Sequence, residues 1–156
     1  MERYFLLWLQ IFQVAILLLH DWIPLPPLND LRAVRQENSL PALALGTLAS
    51  SLFQAVGLAF SFVHWRSGWP HWLYVYLLCA YGFLFVGELQ AWWIPYLLWP
   101  QPKKAARYQA MFGNTSAFLP PRNGIRINTL HFVLHATTFA TLLVLAFHFT
   151  MGSSGS

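Results

Sequence analysis

The sequence predicts an all-α integral membrane protein, a four-helix transmembrane bundle with a long, partly structured third connection. Three observations carry this. Apolar residues make up 57% of the 156-residue chain and charged residues only 9%, against about 25% charged in an average soluble domain. Four apolar runs of about 19 to 26 residues follow one another, and about 20 residues cross the hydrocarbon at 1.5 Å per residue. The runs are divided by proline-rich or basic segments rather than by charged helix faces, so the alternating faces of a soluble bundle are missing.

The first span covers about 4–22, and Pro24, Pro26 and Pro27 end it, because proline cannot continue the backbone ladder. It has the length of a signal peptide, but no small-x-small cleavage site follows and His20-Asp21-Trp22 stands there instead, so it reads as a retained helix. Asn29-Asp30 offers a cap to a short polar helix over 31–38. Ser39 with Pro41 marks the start of the second span, about 40–65. After the break at Arg66-Ser67-Gly68-Trp69-Pro70, the third span covers about 71–94, and Pro95 kinks or stops it. A long connection over 96–127 holds Pro100, Pro102, Pro120 and Pro121. Asn128 caps the fourth span, about 128–149. Residues 1–150 form one domain, and 151–156 read as an artificial linker.

Basic residues fall between the spans. Arg32, Arg35, Lys103, Lys104, Arg107, Arg122 and Arg126 lie in the first and third connections, with Arg3 and Arg66 on the other side. By the positive-inside rule, that asymmetry places the two connections in the cytoplasm of a plasma (inner) membrane, with both termini outside. Asn114-Thr115-Ser116, a glycosylation acceptor pattern, points the other way, but such tripeptides are common by chance. The basic pI near 9.6 is explained by topology and anionic lipid head groups. No nucleic-acid-binding motif accompanies it. Cys79 is the single cysteine, which excludes an intrachain disulfide and CxxC chemistry. The eight tryptophans cluster near span ends, as an interfacial belt does.

Each span carries polar residues at helical spacing: Gln10, Gln13, His20 and Asp21; Thr47, Ser50, Ser51, Gln54, Ser61 and His64; Tyr74, Tyr81 and Glu88; His131, His135, Thr138 and Thr141. Lipid cannot satisfy them, so they turn toward one another. Most Gln, Ser and Thr positions read as glue between helices, with Gly46, Gly57, Gly82 and Gly87 allowing close approach. Glu88 differs, because a carboxylate within a membrane span is costly and marks function by default. It lies about 9 Å below its surface, and His135 about 10 Å below the same one. His131 is one turn shallower, while His20 and Thr47 reach the same half. Glu88, His131, His135, His20 and Thr47 are therefore the candidate ligand-binding residues. Lys103, Lys104, Arg107, Arg122 and Arg126 are expected to ring the cytoplasmic mouth, favouring an anionic or amphipathic ligand.

Three readings follow from that cluster. The leading one is binding or passage of a small ligand at the polar site. The second is a metal-dependent membrane enzyme. There His131 and His135, spaced as HxxxH, hold a divalent metal with Glu88, leaving a position open for water. A haem or quinone carrier ligated by His20 and His131 is a weaker variant. The third is a structural or assembly subunit in which the stripes only join helices, and a homo-oligomer fits any of the three. The connection over 110–128 combines turn formers with Phe112, Phe118 and Leu119, and is expected to fold back as a lid over the mouth.

Overall fold

The computed structural model describes residues 2–153, which are all-helical, with no strand among them. The helices are α1 (Glu2–Leu19), α2 (Leu31–Glu37), α3 (Leu40–Val63), α4 (His71–Leu97), α5 (Pro102–Phe112) and α6 (Thr129–Ser153). Three of them, α3, α4 and α6, are long and apolar enough to cross a membrane. The apolar stretch of α1, Arg3–Leu19, is shorter. α1 and α4 each lie along both α3 and α6.

α1 ends three residues before the expected boundary. The chain turns at His20–Trp22, and the amides of Trp22 and Ile23 both bond to Leu19 O. Asn29 fixes the turn: its amide nitrogen donates to His20 O and Ile23 O, and its oxygen accepts from Leu25 N. The next two helix starts follow their caps. Asp30 accepts from Ala33 N at 3.1 Å to open α2, and Ser39 accepts from Ala42 N at 3.4 Å to open α3. Asn128 accepts from His131 N at 3.0 Å at the start of α6. α6 continues to Ser153, through the first residues expected to be linker, and residues 154–156 lie outside the described part.

Pro95 does not end the third long helix. A π-helical turn over Leu89–Trp93 absorbs it, and Ile94 N reaches back to Leu89 O. A widened turn leaves carbonyls without their usual donors, and proline has no N–H to offer. α5 supplies replacements: Lys104 Nζ lies 3.4 Å from Gln90 O, and Tyr108 Oη donates to Ala91 O at 3.2 Å. Burial raises the Tyr108 phenol above its ordinary 10.0, with the charge of Arg107 pulling it partly back. It therefore stays a donor at neutral pH.

α5 is the structured part of the long third connection. Pro102 sits in its first turn, where a missing N–H costs nothing. Met111 and Phe112 are buried while Lys103 and Arg107 face outward. Its prolines flank the helix rather than break it. The rest of the connection folds back on the molecule. Asn123 and Gly124 both have positive φ (52° and 74°) in a tight turn that pairs Arg122 with Ile125. Ser116 N bonds to Pro27 O at 2.9 Å, tying it to the first connection.

The core has two apolar ends. One holds Leu6, Trp69, Leu73, Leu77, Tyr81 and Leu145. The other joins Leu43, Trp92 and Tyr96 to Met111, Phe112, Ile125 and Ile127 of α5 and the connection. Trp69 and Trp92 are therefore core residues rather than members of an interfacial belt, whereas Trp8, Trp72 and Trp99 are exposed as a belt requires. Of the four glycines expected to bring helices together, only Gly57 does. A Cβ there would stand 2.6 Å from Leu77 Cδ2, while Gly46, Gly82 and Gly87 have nothing within 4 Å.

Candidate intramembrane cleft

α3 and α4 are tight on one side of Gln54 and apart on the other. Gln54 Nε2 donates to Ala80 O at 3.0 Å, Tyr76 Oη donates to Phe53 O at 3.0 Å, and Gly57 lies against Leu77. Beyond that seam the helices leave a cleft of about 630 Å³. Its outer rim carries Gly46, Phe53, Phe83 and Gly87, all exposed. Its inner wall carries His20, Thr47, Gln54, Glu88, His131 and His135, interleaved with Leu17, Leu84 and Leu134. The five residues singled out by polarity and depth thus share one cleft. Gln54, whose polarity alone suits helix glue, joins them.

Glu88 is 6% exposed and faces the bundle interior. Its partner is not an imidazole but Thr138, one turn deeper than His135. Thr138 Oγ1 donates to Glu88 Oε1 at 2.7 Å and accepts from Gln13 Nε2 at 2.5 Å. The chain Gln13–Thr138–Glu88 therefore joins α1, α6 and α4. Leu134 O, 3.1 Å from Thr138 Oγ1, competes for the same hydroxyl proton. Glu88 Oε2 and Gln54 Oε1 are buried without a hydrogen-bond partner among the described residues.

The two histidines of α6 are held by different neighbours. His131 Nδ1 lies 2.7 Å from Asn128 Oδ1. Asn128 Nδ2 donates to Leu28 O, so its Oδ1 accepts and the proton sits on His131 Nδ1. Trp93 Nε1, which can only donate, gives its proton to His135 Nδ1 at 3.1 Å, so the neutral His135 ring carries hydrogen on Nε2. The π turn makes this possible by bringing adjacent tryptophans against one helix: Trp92 lies over His131 with ring centres 4.3 Å apart, and Trp93 meets His135. Phe112 closes on His131 from α5 at 5.0 Å, and His20 meets it edge-on at 5.6 Å. Thr47 receives the Trp22 indole N–H at 3.0 Å.

Among the described residues no group of three His, Cys, Asp or Glu side chains is placed to hold a metal. His131 Nδ1, His135 Nδ1 and Glu88 Oε1 are engaged by Asn128, Trp93 and Thr138 respectively.

The basic ring at the mouth is also absent from the cleft wall. Lys103, Lys104, Arg107, Arg122 and Arg126 sit on α5 and the following connection. Lys104 is engaged with Gln90 O, Arg107 with Asn38 Oδ1 and Arg126 with Gly113 O. The π turn and the α5 clamp had no sequence signal beyond Pro95 and the spacing of Lys104 and Tyr108. No family model, curated protein or solved structure matches this chain.

Proposed function

We propose that the protein crosses the membrane four times, with α1 as the fourth crossing, and binds a small amphipathic ligand in the cleft between α3 and α4. The single observation behind this reading is the cleft itself. It has the size of a small-molecule site, mostly apolar walls and a few polar groups on one side. α1 supports the count by burying Leu6, Gln10, Gln13, Val14 and Leu17 between α3 and α6. The exposed rim at Phe53 and Phe83 favours entry sideways from lipid.

Binding is favoured over passage. Below Gln54 the interior is filled by Leu6, Leu73, Leu77, Tyr81 and Leu145, which leaves the cleft a floor. The proposed orientation keeps α2, α5 and the cleft at the cytoplasmic side. There the exposed Arg32, Arg35, Lys103 and Arg122 suit anionic head groups.

Filling the cleft tests the reading. Gly46→Leu and Gly87→Leu add bulk to its wall, whereas Gly82→Leu adds the same bulk where no cleft lies. Native mass spectrometry of the protein in maltoside micelles with dodecanol should show a one-to-one adduct in wild type and Gly82→Leu. Gly46→Leu and Gly87→Leu should lose it. Equal adducts in all four proteins would leave the polar groups as helix glue and the chain as a structural subunit.

A further inference from the structure

The cleft's polar atoms differ in sign from what a basic mouth would offer. Its wall includes no Lys or Arg. Gln54 gives one amide hydrogen to Ala80 O, and its Oε1, an acceptor, is unpartnered in a side chain 2% exposed. Glu88 uses Oε1 toward Thr138, which leaves Oε2 unpartnered in a side chain 6% exposed. His131 holds its proton toward Asn128, so its Nε2 is a lone pair. His135 Nε2–H and the second Gln54 amide hydrogen are the donors among these side chains. Acceptors outnumber donors among these four side chains, and one of the four is acidic, which suits a head group that donates.

We infer that the cleft selects single-chain amphiphiles with a primary amine head, with Glu88 and Gln54 as its acceptors. This rests on the cleft being a ligand site. An ammonium carries three donors and no acceptor, so it can meet more than one acceptor of such a wall. A hydroxyl has one proton to give. A carboxylate or phosphate would place like charge beside Glu88 and leave both acceptors unmet. The apolar chain would lie along Leu84, Phe83 and Phe53 toward the rim, where α4 from Ala80 to Trp92 provides a wall of about 18 Å.

The test is a matched series, dodecylamine, dodecanol and dodecanoate, titrated into the full chain in maltoside micelles and counted by native mass spectrometry. Gly46→Leu serves as the blank for micelle partition. Wild type should bind the amine most tightly, the alcohol next and the carboxylate least, with the amine and carboxylate separated by about tenfold or more. Glu88→Gln keeps the shape and an acceptor for Thr138, and should erase the amine's advantage over the alcohol. The wild-type order needs no variant to fold. If Gly46→Leu-sensitive binding is seen and the amine is not first, this inference is wrong while the cleft reading stands. If no member of the series distinguishes wild type from Gly46→Leu, both fall.

Discussion

Thr138 holds Glu88 across the interface between α4 and α6, donating to Oε1 at 2.7 Å, and the same hydroxyl receives the Gln13 amide at 2.5 Å. One small side chain therefore bonds a buried carboxyl from one helix and a buried amide from another. Thr138→Val keeps the shape and removes both bonds, leaving Gln13 with no hydrogen bond among the described residues. A single bond between membrane helices is worth about 0.6 kcal/mol on average, and an unsatisfied buried group costs about 1–3 kcal/mol. Thr138→Val should destabilise by about 2 kcal/mol in an SDS titration from mixed micelles. Gln13→Leu should cost less, because Thr138 keeps Glu88. The reverse order would mean that the triad is not what joins these helices.

Tyr108 and Lys104 stand one turn apart on α5 and meet two carbonyls of the π turn, those of Ala91 and Gln90. Tyr108→Phe frees Ala91 O in a half-buried setting and should cost about 1 kcal/mol. It should also change the near-ultraviolet circular dichroism, since Trp92 and Trp93 flank that carbonyl. Lys104→Met should change neither by much, because its contact is long and exposed. An unchanged Trp signal in Tyr108→Phe would show that the π turn is held by α4 and α6 alone.

Gly57 and Gly46 lie on the same helix but meet different surroundings. Gly57→Ala drives a Cβ to 2.6 Å from Leu77 Cδ2 and 3.2 Å from Tyr76 Cε1. Neither side chain is free to yield: Leu77 is fully buried, and Tyr76 is tied to Phe53 O. Overpacking there should cost about 1–3 kcal/mol. Gly46→Ala meets nothing and gains helix propensity, so it should be neutral or stabilising by about 0.5–1 kcal/mol. Thermal unfolding in detergent reads both, and equal effects would place the α3–α4 seam elsewhere.

Three long apolar helices and most helix starts were legible because they rest on local rules. Ser39, Asp30 and Asn128 cap where such residues cap, and apolar length marks a membrane helix. The gathering of Glu88, His131, His135, His20 and Thr47 was legible from chain direction and depth, since α4 runs toward the surface from which α6 starts. What remained hidden depends on rotation and on distant partners. Depth places Glu88 level with His135, but only the facing of α4 and α6 decides that Thr138 receives it. The π turn adds a residue to a helix and re-aims everything after it, so Trp92 and Trp93 look interfacial by position and pack inward in fact. Lys104, Arg107 and Arg126 look like free cations until the carbonyls or amide they meet are known.

The histidines give a prediction that needs no ligand. His131 should carry its proton on Nδ1, because Asn128 Oδ1 accepts there, and His135 on Nε2, because Trp93 donates to its Nδ1. Two neutral rings one turn apart would then differ in tautomer, which side-chain 15N–1H correlation spectra distinguish directly. Each assignment has its own release. Asn128→Ala removes the acceptor for His131 and the cap of α6, so the His131 pattern should become mixed, with a loss of about 1 kcal/mol for the cap. Trp93→Phe should free His135 and leave His131 unchanged. The contrast matters for the cleft, since a lone pair from one ring and an N–H from the next give its wall two unlike contacts. Identical tautomers in the wild-type protein would remove that distinction, and with it His131 as an acceptor for any ligand.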